Sequence, residues 1–160
     1  MADRIDVMIS STARDLPIHR QHALDACLRQ GMFPIMMEHL PPKAEDAIAA
    51  SLKMVDDAEI YLGIFAYRYG FLPPGHDISI TEMEYNRAVE RGIPRLIFFM
   101  HKEHQTTPEQ MGEGLEDPLE EAQRKIKLAA FKKRLATDNI INEFKNPDEF
   151  RALVVNGLSL

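Results

Sequence analysis

The stretch Ile-Tyr-Leu-Gly-Ile-Phe-Ala at residues 60–66 decides the fold class of this chain. Its seven residues are apolar or small without interruption, so no polar position alternates with an apolar one. An unbroken run of this length is typical of a strand at the centre of a parallel sheet, because helices cover both faces of such a strand. We therefore predict a central strand here.

Shorter strand-like runs and longer helical patterns alternate on both sides of this strand. The other predicted strands are residues 5–10, 33–38, 95–100 and 140–144, and the predicted helices are residues 17–30, 44–56, 79–92 and 119–136, with a last helix from Pro147. Strict alternation is typical of βα units, whose right-handed crossovers place helices on both faces of a parallel sheet. The sequence thus predicts a three-layer α/β fold, flavodoxin-like, with five strands in the order 2-1-3-4-5.

The composition limits the number of domains, the partners and the location that we expect. A chain of 160 residues fits one domain and can bury a core without disulfides or metals. With a net charge of −6 and no dense block of Lys or Arg, we expect neither nucleic acid nor a membrane surface as a direct partner. Cys27 is the only cysteine, and no apolar run approaches the ~20 residues that cross a membrane, so we expect a cytoplasmic protein.

Polar or small residues follow the predicted strands at their carboxyl ends. In parallel α/β sheets these ends meet at one edge, and ligands bind in the crevice where the strand order reverses, here beside strands 1 and 3. The candidate binding residues at this edge and beside it are Ser10, Ser11, Thr12, Arg14, Glu38, Arg68, Tyr69, Gly70 and Ser79.

The third predicted helix opens with Ser-Ile-Thr-Glu-Met-Glu-Tyr at residues 79–85. Ser79 and Glu82 match a capping box, in which each side chain accepts a hydrogen bond from the backbone N–H of the other residue. Glu84 instead falls in the apolar arc that faces the sheet, where a carboxylate needs a partner. It either forms an ion pair with Arg68 or Arg87, or it faces the crevice as a functional carboxylate.

Two other segments at this edge allow two interpretations each. The small hydroxyl residues at 10–12 can bind a phosphate at a helix N-terminus, or Thr12 or Asp15 can simply cap that helix. In the segment that follows strand 3, Arg68 can hold a phosphate and Tyr69 can stack on a base or a nicotinamide ring. Alternatively the aromatic residues complete the core and the Arg pairs with a carboxylate.

The histidines and the cysteine predict no metal centre. His19 and His22 lie three residues apart on one helix, and His101 and His104 follow the fourth strand. Neither pair has the HExxH arrangement or cysteine partners, so we expect no metal. Cys27 is interpreted as a core residue rather than a nucleophile.

Four motifs in one order make the chain resemble the domain-of-unknown-function family 4062. They are residues 7–16, residues 31–34 with Glu38, residues 67–70 and residues 79–85, and residues 144–158 resemble the closing strand and helix of that family. Its domains are TIR-like and typically precede a STAND-type NTPase in sensor proteins, often in antiviral defence. The resemblance implies that the chain is one TIR-like domain, the N-terminal module of a longer protein.

The resemblance also implies an activity. In TIR enzymes, a glutamate early in the third helix supports cleavage of the nicotinamide–ribose bond of NAD, and by motif position this glutamate corresponds to Glu84. NAD would then be the substrate, no further cofactor would be required, and activity would depend on self-association. The Trp that commonly precedes this glutamate is absent, because the chain has no Trp.

Two alternatives stay open. One is a non-catalytic interaction module that self-associates or recruits a partner through the polar loop at residues 101–116. The other is a nucleoside deoxyribosyltransferase-like enzyme, which also uses a glutamate on a helix beside a similar sheet. The family resemblance therefore predicts the fold more narrowly than the chemistry.

Overall fold

Five strands and five helices alternate strictly in the part of the chain that the computed structural model describes, residues 4–12, 16–37, 41–106 and 117–159. In chain order they are β1 (Asp6–Ser11), α1 (Pro17–Arg29), β2 (Phe33–Ile35), α2 (Ala44–Asp56), β3 (Ile60–Phe65), α3 (Ile80–Arg91), β4 (Arg95–Met100), α4 (Pro118–Asp138), β5 (Ile141–Phe144) and α5 (Pro147–Leu158).

The strands form one parallel sheet in the order β2-β1-β3-β4-β5, which confirms the predicted topology of a flavodoxin-like fold. All six residues of β3 are buried at the centre of this sheet. From β1 the chain crosses to β2 on one side, and from β3 it crosses to β4 on the other. The carboxyl ends of β1 and β3 therefore lie at the point where the strand order reverses, which is the edge where ligands bind in such sheets.

The core has two halves, one on each face of the sheet. Residues of α1 and α5 pack on one face around Phe98, Phe144 and Phe150. Residues of α2, α3 and α4 pack on the other face around Tyr61 and Phe131. The fold therefore has the three predicted layers, with the sheet between two layers of helices.

Cys27 lies in the first half of the core, fully buried. Burial raises the pKa of its thiol to about 11, so the reactive thiolate is scarce at neutral pH. The interpretation of Cys27 as a core residue is confirmed.

The end of β2, at the carboxyl edge, differs from the prediction by three residues. Strand β2 ends at Ile35 rather than at residue 38, because the chain leaves the sheet at Met36 and the carbonyl of Met37 accepts a hydrogen bond from Arg20 (2.7 Å). Helix α1 has Leu16 at its N-cap position, without a side-chain capping bond; of the two predicted caps, Thr12 lies four residues before this position and Asp15 lies outside the described residues. In the described residues, no helix is both long enough and apolar enough to cross a membrane.

Candidate functional site

Gly70 lies where three elements converge at the carboxyl edge of the sheet. A β-carbon at this position would lie 2.5 Å from Thr81 Oγ1, in the first turn of α3, and 3.6 Å from Thr12 Cγ2, just after β1. Gly70 also has a φ of +98°, which L-residues rarely adopt. A glycine here therefore lets the segment after β3 pack directly against both neighbours.

Glu84 lies on the side of α3 that faces the sheet, as its helical position predicts, and only 6% of its surface is exposed. Its Oε1 accepts a hydrogen bond from Ser10 Oγ at the end of β1 (2.8 Å). The predicted ion pair with Arg87 is wrong, because that guanidinium binds Asp56 instead (Nε to Oδ1, 2.7 Å). The carboxyl group thus sits in the interior beside a serine hydroxyl.

The buried environment of Glu84 raises the free energy of its charged form relative to the neutral form. Burial raises the pKa of its carboxyl to about 7, although hydrogen bonds from Ser10 and Ser51 and the positive charge of Arg20 oppose the shift. The phenol of Tyr61 is also fully buried beside Ser10 and Glu84, and burial raises its pKa as well. Glu84 is therefore a carboxyl group that changes charge near neutral pH.

The raised pKa of Glu84 predicts how stability depends on pH. Because the folded-state pKa lies above the unfolded value of about 4.5, this group stabilises the fold fully below pH ~4.5 and loses that contribution as the pH rises through about 7. We expect the free energy of unfolding of the wild type, relative to Glu84→Gln, to fall by about 2 to 3 kcal/mol between pH 4.5 and 8. Urea unfolding across this range measures it, with Glu90→Gln as the exposed control. A difference between the Glu84→Gln variant and the wild type that does not change with pH would contradict the raised pKa.

Arg20 connects two strand ends at this edge. It lies on the buried side of α1, and its guanidinium donates to the carbonyls of Ser11 (3.5 Å) and Met37 (2.7 Å). It therefore fixes the segment after β2 next to the end of β1.

Sequence reasoning gave no role to Arg20, nor to Ser51 and Tyr61. The sequence could have indicated Arg20 and Ser51, since each is a polar residue at a core-facing position of a mostly apolar helix face. Nothing in the sequence could have indicated a role for Tyr61, because a tyrosine in a central strand is ordinary core composition.

Tyr69 and Ser79 hold the start of α3 through hydrogen bonds. Ser79 Oγ accepts from the backbone N–H of Glu82 (3.1 Å), which confirms the first half of the capping box. The second half is wrong: the N–H of Ser79 donates to Tyr69 Oη (3.1 Å), and that hydroxyl donates to Glu82 Oε1 (2.6 Å). The ring of Tyr69 is buried edge-on against Phe131, which favours the packing alternative over stacking on a ligand.

The structure predicts that removing the hydroxyl of Tyr69 lowers the free energy of unfolding. Tyr69→Phe leaves the N–H of Ser79 and the carboxylate of Glu82 without their shared partner, so we expect a loss of about 1 to 3 kcal/mol in the free energy of unfolding. Tyr67→Phe is the matched control, because that ring is half-buried beneath Lys132. Equal unfolding midpoints for the two variants in urea would contradict the structural role of Tyr69.

The remaining predicted residues separate into three groups. Ser10, Ser11, Thr12 and Gly70 lie with Glu84 at the carboxyl edge, and Arg68 is half-buried in the segment after β3. Within the described residues, Ser11 Oγ is buried and has no hydrogen-bond partner. Arg14 and Glu38 lie outside the described residues.

This arrangement suits a reaction in which positive charge develops. A carboxylate with a pKa near 7, in a site from which water is largely excluded, stabilises a nearby cation far more strongly than it would in water. The described part of the chain brings no three His, Cys, Asp or Glu side chains close enough to hold a metal ion.

One family model matches the chain: the family is described as "Domain of unknown function (DUF4062)", and the match covers residues 6–159. No curated protein matches the chain. The match covers every strand and helix of the fold, including the residues around Glu84.

Proposed function

The chain belongs to the DUF4062 family, and from the geometry around Glu84 we propose that it is a TIR-like effector domain that cleaves the nicotinamide–ribose bond of NAD when copies of it assemble. Glu84 is the catalytic residue of this proposal. The setting we propose is a STAND-type sensor of antiviral defence, in which assembly of the sensor brings the domains together.

The observation that carries the proposal is the buried, titratable carboxyl of Glu84 at the edge where β1 and β3 diverge. When the bond between ribose C1′ and the nicotinamide nitrogen breaks, nicotinamide leaves with the electron pair and the ribosyl group becomes an oxocarbenium-like cation. A carboxylate beside C1′ stabilises that cation until water adds and releases a proton. Perturbed pKa values of this kind concentrate at functional sites.

The neighbouring residues have matching roles in this proposal. Ser10 holds the carboxyl of Glu84 through its hydrogen bond, and the unpartnered hydroxyl of Ser11 is placed to bind ribose or phosphate. Thr12, Gly70 and Arg68 line the same edge. Arg14 and Glu38 are proposed as further nucleotide contacts from the family motifs alone.

The proposal is tested by NAD consumption with the domain fused to a scaffold that forces it to cluster. We expect nicotinamide and ADP-ribose in equal amounts, and a rate that rises with pH through about 7, since the ionised form of Glu84 is the active one. Base exchange between deoxynucleosides is the counter-assay for deoxyribosyl transfer. No nicotinamide release from clustered domain at high concentration would remove the enzymatic proposal.

A second function, a non-catalytic interaction module, is favoured by one observation. Glu84 is only 6% exposed and its carboxyl accepts a hydrogen bond from Ser10, as would also be expected if its role were purely structural. Calorimetry with NAD together with sedimentation of the domain separates the two. Self-association without heat of NAD binding supports the module, and saturable NAD binding supports the enzyme.

A further inference from the structure

Two histidines that are far apart in the sequence meet at the carboxyl end of β4, away from Glu84. His19 of α1 and His104 of the segment after β4 place their Nε2 atoms 3.1 Å apart. His19 is 4% exposed, and its ring lies against Phe144 (centroids 4.9 Å apart) and Phe150 (5.4 Å). The pair therefore joins residues 101–106 to α1 over an aromatic surface.

The hydrogen bonds fix where the protons are. His104 Nδ1 lies 2.8 Å from the carbonyl of Gln105, which can only accept, so Nδ1 carries the proton and donates it. Neutral His104 then has a lone pair on Nε2, and His19 must donate its Nε2–H to that lone pair. His19 Nδ1 is left as a buried acceptor with no hydrogen-bond partner in the described residues.

In this arrangement, protonation of either free ring nitrogen is unfavourable. A proton on His104 Nε2 would set two N–H groups against each other at 3.1 Å. A proton on His19 Nδ1 would create a cation among aromatic rings with no acceptor. We propose that His19 and His104 form a proton-sensitive clasp, which holds residues 101–106 against α1 while both rings are neutral and releases them when the pair takes up a proton.

The surroundings of the clasp also disfavour a proton on His19. Burial, together with the positive charges that His104 and His22 can carry, lowers the pKa of His19 to about 4. Because this pKa lies below the usual value near 6.5, the clasp is most stable above pH ~6.5 and weakens as the pH falls towards 4. The elements around the clasp carry further charged or titratable groups: Arg20, His101, Lys102, Glu103, Glu143, Lys145, Asp148, Glu149 and Arg151.

A metal fits this pair less well than a proton. To bind a metal through both Nε2 atoms, His19 would have to carry its proton on Nδ1, which is buried without an acceptor. The clasp also lies at the carboxyl end of β4, the same edge of the sheet as Glu84. Acidification would therefore free a segment at this edge of the sheet.

Nuclear magnetic resonance on the ¹⁵N-labelled domain tests the clasp directly. At pH 7.5 we expect the Nδ1–H tautomer for His104 and the Nε2–H tautomer for His19. Between pH 6.5 and 4.5 the protection factor of the His104 amide, which donates to the His101 carbonyl (2.9 Å), should fall about tenfold per pH unit.

Variants give the control. His19→Gln and His104→Gln should each flatten the pH dependence of that protection to less than about threefold per unit, whereas the exposed His76→Gln should leave it unchanged. The proposal is overturned if the wild-type His19 ring titrates at its usual pKa near 6.5, or if protection does not depend on pH. Micromolar Zn²⁺ that shifts both rings and slows exchange would also overturn it, in favour of a metal site.

Discussion

Replacing Glu84 by Gln is expected to slow NAD cleavage by the clustered domain about 100- to 1,000-fold, the usual cost of removing one electrostatic stabiliser of a transition state. Gln has nearly the same shape and can keep the hydrogen bond with Ser10, but it has no negative charge to offer a ribosyl cation. The loss should appear mainly in kcat, because the interaction strengthens as charge develops. Nicotinamide release measured at saturating NAD gives this number.

The control for this variant is Glu90→Gln, on the same helix but exposed and paired with Arg87. It should leave NAD cleavage unchanged within about twofold, since a surface ion pair contributes little. Circular dichroism and urea unfolding at pH 7.5 confirm that both variants fold. Undiminished turnover by Glu84→Gln would remove this carboxylate from the mechanism.

Gly70→Ala is expected to destabilise the domain by roughly 2 to 5 kcal/mol. The φ of +98° costs an alanine about 1 to 2 kcal/mol, and the contact of its β-carbon with Thr81 Oγ1 at 2.5 Å adds about as much again or more. Because the same contact orders the first turn of α3, NAD binding should weaken together with stability. Urea unfolding and calorimetry measure the two effects.

Gly75→Ala separates the backbone cost of a positive φ from the cost of the close contact with Thr81. Gly75 has a φ of +80°, but no atom lies within 4 Å of the position its β-carbon would take, so this variant meets the backbone cost alone. The double variant Gly70→Ala/Thr81→Ala should recover the part of the loss that comes from the close contact. Equal losses for Gly70→Ala and Gly75→Ala would show that the packing at the carboxyl edge is loose.

The sequence predicted those features of the fold that local signals encode. The apolar run at residues 60–66 marked the buried central strand, which the structure ends one residue earlier at Phe65. Ser79 and Gly92 marked the two ends of α3, since the first caps its N-terminus and the second adopts the left-handed conformation at its C-terminus (φ 68°). The alternation of elements and the handedness of crossovers predicted the three layers, and the strand order is the one that five-stranded sheets of this kind commonly adopt.

The details of the candidate site were less predictable because they depend on contacts between distant parts of the chain. Helical phase placed Glu84 on the sheet side, but the hydrogen bond from Ser10 joins residues 74 apart, and nothing in the spacing indicates it. Tyr69 was open to a stacking role until its hydroxyl was found between Ser79 and Glu82. Likewise His19 and His104, 85 residues apart, looked like members of two unrelated pairs.

The most direct measurement of the central claim is a crystal structure of the Glu84→Gln domain soaked with NAD, in which the slow reaction leaves the dinucleotide intact. We predict that the nicotinamide-bearing ribose lies within hydrogen-bond distance of residue 84, about 3 Å, with the hydroxyl of Ser11 contacting the same ligand. NAD bound elsewhere on the domain, with residue 84 still enclosed by Ser10 and Ser51, would contradict the claim and leave Glu84 as a structural residue.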